Sequence, residues 1–182
     1  MTDTETKEEY FDLVDGNNMP IGKKALRSEA HTQGLWHRTV HIYLFRVTGD
    51  IEFLVHLRAK TKDLSPNKWD TRFGGHLKSG ESIDEAVAGE LQDEIGLILD
   101  SSNLMRGEIL KRDKYPNREF TNVYYYRFQN ETSTLKFNDG EVQEIKWMKS
   151  IDILKSLTED PEIWSASKNE FAEILSTLKS KL

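Results

Sequence analysis

Glu90, Asp93 and Glu94 crowd acidic side chains into little more than one helical turn of the segment GESIDEAVAGELQDEIGL, Gly80–Leu97. Ser82 followed by Glu85 is a capping-box spacing, which predicts a helix starting at Ile83. Gly96 supplies the left-handed residue that stops such a helix after Ile95. With about 100° per residue and Ile83 as origin, Val87 falls near 40° and Leu91 near 80°, which marks the buried face. Glu90 falls near −20° and Glu94 near 20°, within or beside that face, with Asp93 on its flank. Like charges one turn apart repel, and partial burial of carboxylates adds to the cost. A hard divalent cation among them would offset that cost, because Mg²⁺ takes oxygen ligands and keeps waters for a substrate to displace. The alternative is a solvated acidic face on a helix whose phase is shifted by a residue or two.

The elements that must position this helix are mostly strands. Alternation predicts strands at Tyr10–Val14, Thr39–Phe45, Ile51–Leu57, Leu104–Leu110, Phe120–Phe128 and Val142–Met148, with Pro20–Gly22 pairing back on the first across the Asp15-Gly16-Asn17-Asn18 turn. Ala25–Gly34 has no clear pattern. Short helices are expected at Ile151–Leu157 and Lys168–Lys181, the latter with Phe171, Ile174, Leu175 and Leu178 at i, i+3, i+4 and i+7. Strands, a central helix, more strands and closing helices read as α+β, a mixed sheet with helices on its faces. Residues 1–8 read as a flexible tail and 9–182 as a single domain, with helices over about 150–182.

Reading forward from Gly75, Glu81 is followed by Glu90, Leu91, Asp93, Glu94, Gly96 and Leu97. This resembles the Nudix box over residues 75–97, with Gly89 at the usual arginine and Asp93 at the first glutamate of the closing pair. The resemblance implies an αβα sandwich and a diphosphohydrolase that holds Mg²⁺ or Mn²⁺ against a diphosphate. It implies Glu90 and Glu94 as the main ligands and catalytic carboxylates, Asp93 contributing directly or through water, and the Gly74 carbonyl completing the set. Glu81 would support these ligands or bind from outside. Glu119 or Glu141 would be a further ligand or base, although a surface glutamate is the plainer reading of each. The missing arginine removes a cation that normally fixes the motif glutamates, leaving Arg72, Lys78 or Arg106 to replace it.

The segment Glu8–Phe45 (EEYFDLVDGNNMPIGKKALRSEAHTQGLWHRTVHIYLF) is also similar to isopentenyl-diphosphate isomerases and the Nudix hydrolases nearest them. That resemblance places metal-binding histidines at His31, His37 and His76, and a catalytic cysteine at Gly74. For His31 and His37 structural roles are the favoured reading. His41 and His56 alternate within strands and are expected to be partly buried with hydrogen-bond partners. The chain has no cysteine, so isomerase chemistry lacks a partner and hydrolysis is the expectation. A binding module that has lost turnover through Gly89 is the other alternative.

Arg58, Lys60 and Lys62 form a cationic run suited to a substrate phosphate, Arg58 by bidentate contact. His76, inside the motif loop, is a further candidate substrate contact. A second run, Lys111, Arg112, Lys114 and Arg118, reads as a solvated loop. Trp36, Tyr124, Tyr125, Tyr126 and Trp164 are candidates to stack on a base, with aromatic core as the plainer role.

Bulk composition excludes several classes. The net charge of −6 argues against a nucleic-acid polymer as partner but not against a small-molecule diphosphate. Without cysteine there is no disulfide, thiolate site or thiol nucleophile. No GxxxxGK[ST] or GxGxxG motif occurs. The polar start MTDTETKEEY and the absence of a long apolar stretch give no membrane partner and a cytoplasmic expectation, as a monomer or homodimer.

Overall fold

The computed structural model describes residues 8–62, 64–99, 101–137 and 140–182. Apart from Glu8, the expected tail lies outside the described residues. The elements run β1 (Tyr10–Val14), β2 (Pro20–Leu26), α1 (Arg27–Gln33), β3 (His37–Val47), β4 (Ile51–Arg58), β5 (Trp69–Asp70), α2 (Ile83–Ile95), β6 (Met105–Lys114), β7 (Asn117–Arg127), β8 (Val142–Lys149), α3 (Ser150–Glu159) and α4 (Lys168–Lys181). β1 and β2 form a separate antiparallel hairpin.

The large sheet is mixed because β3 pairs parallel with β7 while its other pairings are antiparallel. β3 and β4 pair only from Phe45↔Phe53 to Val47↔Ile51 and then part. The chain after β5 fills the gap: Phe73 bridges to Ile42, Val40 donates its N–H to the Gly75 carbonyl, and His76 bridges to Thr39. This wedge brings Gly74, Gly75 and His76 to the mid-sheet, directly before α2.

Alternation along β3 sorts the two faces. Val40, Ile42 and Leu44 pack with Leu54 against Ala86, Val87, Leu91 and Ile95 of α2. Tyr43 and Phe45 pack with Phe53, Val55 and Tyr125 against Ile153 and Leu157 of α3 and Phe171, Ile174, Leu175 and Leu178 of α4. The result is an αβα sandwich. Tyr124, Tyr125 and Trp164 are core, not stacking platforms.

Three expectations change. The patternless Ala25–Gly34 segment contains helix α1, which no side chain caps at its N-terminus and which ends at left-handed Gly34. The second basic run is no loop. It lies on the β6–β7 hairpin, whose antiparallel register sets Lys111 opposite Phe120 and Arg112 opposite Glu119. His41 and His56 are buried, but the Nδ1 atom of each makes no hydrogen bond. Both imidazoles are kept neutral by burial, His56 down to about 4.

Candidate active site

Helix α2 begins as its sequence dictates, with Ser82 accepting from Glu85 N–H and Glu85 reaching back to Ser82 N–H. Its inward face carries Glu94, only 4% exposed, whose Oε2 accepts the Gly74 N–H at 3.2 Å. Gly74 has φ +137°, and a Cβ there would strike the Val40 carbonyl. At Gly75 a Cβ would overlap the Glu90 carboxylate. Gly74 therefore lets the turn close on β3, and Gly75 lets it close on the Glu90 carboxylate.

No ion pair among the described residues involves Glu90, Asp93 or Glu94. Burial pushes Glu90 up to about 7, opposed by Lys78 and Lys62 and reinforced by Glu141 and Asp93. Burial and then the Glu90 charge push Glu94 well above the usual carboxylate range. Buried carboxylates without a cation cost free energy, and an oxygen-only donor set on a glycine turn fits a hard divalent ion.

Glu90 and Asp93, with Gly74 and Gly75, border a cavity of about 600 Å³, also lined by Arg27, Arg58, Lys62, Lys78, His76 and Glu141, while Glu94 lies buried behind them. Lys62 pairs with Glu141 within that lining. Arg58 lines the wall, but its Nε and Nη2 donate to the Leu64 carbonyl and its Nη1 lies 3.6 Å from Asp70. Glu81 accepts the Lys78 N–H at 2.9 Å, closing the turn before α2, and stands outside the cavity lining. Of the cations that would replace the arginine absent at Gly89, only Lys78 reaches the cavity. Arg72 turns to Asp70 and Glu170, and Arg106 lies 3.8 Å from Asp84 on the surface.

A second cluster adjoins the first. His31, His37, His76 and Glu119 place one ligand atom each within 4.8 Å of one another. The parallel pairing sets His37 opposite Glu119, and α1 brings His31 Nε2 to 3.2 Å from His76 Nε2. The His37 Nδ1 lies 2.8 Å from the Leu35 carbonyl. That carbonyl requires the proton on Nδ1, so Nε2 keeps its lone pair. The same Nε2 is buried with no hydrogen-bond partner, 3.9 Å from Glu119 Oε1. Burial lowers all three histidines, which holds them in the neutral form a metal needs. Sequence reasoning set Glu119 among surface glutamates and favoured structural roles for His31 and His37. Glu119 is instead buried, 8% exposed, and the three imidazoles converge on it.

A sandwich with a glycine turn feeding a carboxylate helix defines a class of phosphate-handling enzyme folds. The chain belongs to the Nudix family, whose NUDIX domain model matches residues 35–168. It is 35% identical over 141 residues to an uncharacterised Nudix hydrolase of Clostridium acetobutylicum, covering 75% of this chain and 68% of that protein. It is 31% identical over 162 residues to an isopentenyl-diphosphate Delta-isomerase of Aliivibrio fischeri, covering 86% and 89%. A crystal structure of a Deinococcus radiodurans protein shares the fold with TM-score 0.72 and 24% identity, covering 92% of this chain and 98% of that one. The chain is accordingly a Nudix hydrolase, of a class that acts on small nucleoside-diphosphate-linked compounds with divalent metal ions. No helix among the described residues is long and apolar enough to cross a membrane.

Proposed function

We propose that this enzyme hydrolyses the phosphoanhydride bond of a nucleoside diphosphate derivative or another X-linked diphosphate, using Mg²⁺ or Mn²⁺. The observation that carries the reading is the carboxylate pair Glu90 and Glu94, one part-buried and one buried and neither in an ion pair among the described residues, beside a cavity with a basic wall. Glu90, Asp93, Glu94 and the Gly74 carbonyl would hold the cation, with Glu81 supporting them from the neighbouring turn. When bound, such an ion neutralises charge on the bridging phosphates and makes water a better nucleophile. Glu90 is suited to take the proton from the attacking water, and Glu141, which lines the same cavity, is the alternative base. Lys62, His76 and Arg58, all of which line the cavity, would receive the phosphates.

The histidine–Glu119 cluster favours an addition to this reading: a second divalent cation. Three imidazole nitrogens and one carboxylate suit a transition metal such as Mn²⁺ or Zn²⁺. Isomerase chemistry remains disfavoured, because glycine stands at position 74 where the resemblance places cysteine.

The test is Mg²⁺- and Mn²⁺-dependent release of phosphate or nucleoside monophosphate across a panel of diphosphate compounds. Glu90→Gln and Glu94→Gln should each lower turnover by about 10²–10⁴-fold. Unchanged activity in both variants would refute the assignment. Ligand-induced thermal stabilisation without any product would point instead to a binding module that has lost turnover.

A further inference from the structure

Glu170 lies on α4, beyond the residues spanned by the NUDIX domain match, and is absent from the lining of the phosphate cavity. One of its oxygens nevertheless joins two guanidinium groups. Oε1 stands 2.7 Å from Arg72 Nη1 and 3.1 Å from Arg112 Nη2. Arg72 is anchored in turn by Asp70, which is fully buried, at 3.6 Å. On its other side Arg112 Nη1 lies 3.9 Å from Glu119 Oε2. The other oxygen of Glu119, Oε1, faces His37 Nε2 and His76 Nε2, at 3.9 Å from each.

Two carboxylates thus compete for one guanidinium, and the nearer, Glu170, wins. A planar guanidinium left without Glu170 would close on Glu119 as a bidentate fork and engage both carboxylate oxygens. With Glu170 in place, Arg112 stays off Glu119 by almost an ångström more than an ordinary hydrogen bond. Oε1 is left to the histidines.

We propose that Glu170 is a positioning residue for the His31–His37–His76–Glu119 cluster: by holding Arg112 it keeps Glu119 Oε1 available as the cluster's one anionic ligand. The proposal rests on the reading that this cluster binds a divalent cation. It makes the C-terminal helix a part of the metal site that no motif of the chain announces. It also accounts for why a partly buried glutamate sits between two arginines on a helix whose remaining inward positions are apolar.

The probe is Co²⁺ alone, titrated into the full-length protein and followed by visible absorption. Imidazole-bound ion in low coordination is distinct there from ion held by oxygen ligands alone. The wild type should develop the imidazole-bound spectrum, and His76→Ala should remove it. Glu170→Gln should weaken that binding by about 10–100-fold, the usual loss when a group orienting a ligand is removed. In an Arg112→Met background, Glu170→Gln should cost nothing further. Arg112→Met, which changes a half-exposed side chain on a hairpin, keeps the test available if Glu170→Gln folds poorly. In that case Arg112→Met, which removes the competing guanidinium, should bind Co²⁺ at least as tightly as the wild type, and weaker binding would overturn the proposal.

A wild type without an imidazole-bound spectrum would overturn the cation reading and the proposal together. A wild-type site abolished by His76→Ala but unchanged in Glu170→Gln would overturn the positioning role and leave the cation reading standing. Equal weakening by Glu170→Gln with and without Arg112 would also overturn it, because the effect would not pass through Arg112.

Discussion

Replacing Asp70 by asparagine should destabilise the protein in a pH-dependent way that can be worked from its surroundings. Asp70 is wholly buried, and its Oδ2 lies 3.6 Å from both Arg58 Nη1 and Arg72 Nε without a hydrogen bond. Burial pushes its carboxyl up, but Arg72, His56 and Arg58 outweigh it and hold the group at about 2 against an ordinary 3.8. That depression corresponds to about 2–3 kcal/mol of stability at neutral pH. The folded value is the lower one, so this contribution is present above pH 3.8 and lost as pH falls through about 2. Asp70→Asn forfeits it and leaves two arginines facing a neutral amide, a total cost of about 3–5 kcal/mol at pH 7. The gap between wild type and variant should then shrink by about 2 kcal/mol between pH 5 and pH 2. Urea unfolding at a series of pH values, read by the fluorescence of the 4 tryptophans, measures the gap. A gap that stays constant with pH, or a variant as stable as wild type at pH 7, would refute the reasoning.

Other outcomes follow from the same geometry. Gly89 sits inside α2 with open space where a Cβ would be, so Gly89→Ala should raise stability by about 0.5–1 kcal/mol in urea unfolding, and Gly89→Arg should raise turnover if motif support is limiting. Gly75→Ala, whose methyl would overlap the Glu90 carboxylate, should cut kcat at least tenfold while the circular dichroism spectrum is retained. Lys62→Met should raise KM for the diphosphate more than it lowers kcat, because Lys62 lines the cavity rather than the carboxylate floor; an unchanged KM in initial-rate kinetics would remove it from phosphate binding.

What the sequence disclosed was what local physics controls. The start of α2 was legible because Ser82 and Glu85 satisfy each other's backbone within one turn, and its end because Gly96 is left-handed. The inward aim of Glu94 followed from helical period alone. What stayed hidden was set by contacts distant in sequence. Glu119 follows a basic run and looks solvated until the parallel β3–β7 pairing seats it against His37. The run itself looked like a loop because charge masked the alternation that puts Lys111 over the Trp36 ring and Arg112 on Glu170. Helix α1 escaped notice because Arg27–Gln33 buries only Ala30 and so carries no apolar stripe. The orphaned Nδ1 atoms of His41 and His56 could not be foreseen, since the lack of a partner is a property of the packed surroundings.

The measurement that bears most directly on the central claim is anomalous diffraction from crystals soaked in Mn²⁺. The account predicts a peak within about 2.5 Å of carboxylate oxygens of Glu90 and Glu94, against the Gly74–Gly75 turn, whose height falls in Glu94→Gln. Crystals saturated with Mn²⁺ that show no peak at that turn, with both carboxylates pointing to bulk water, would contradict it.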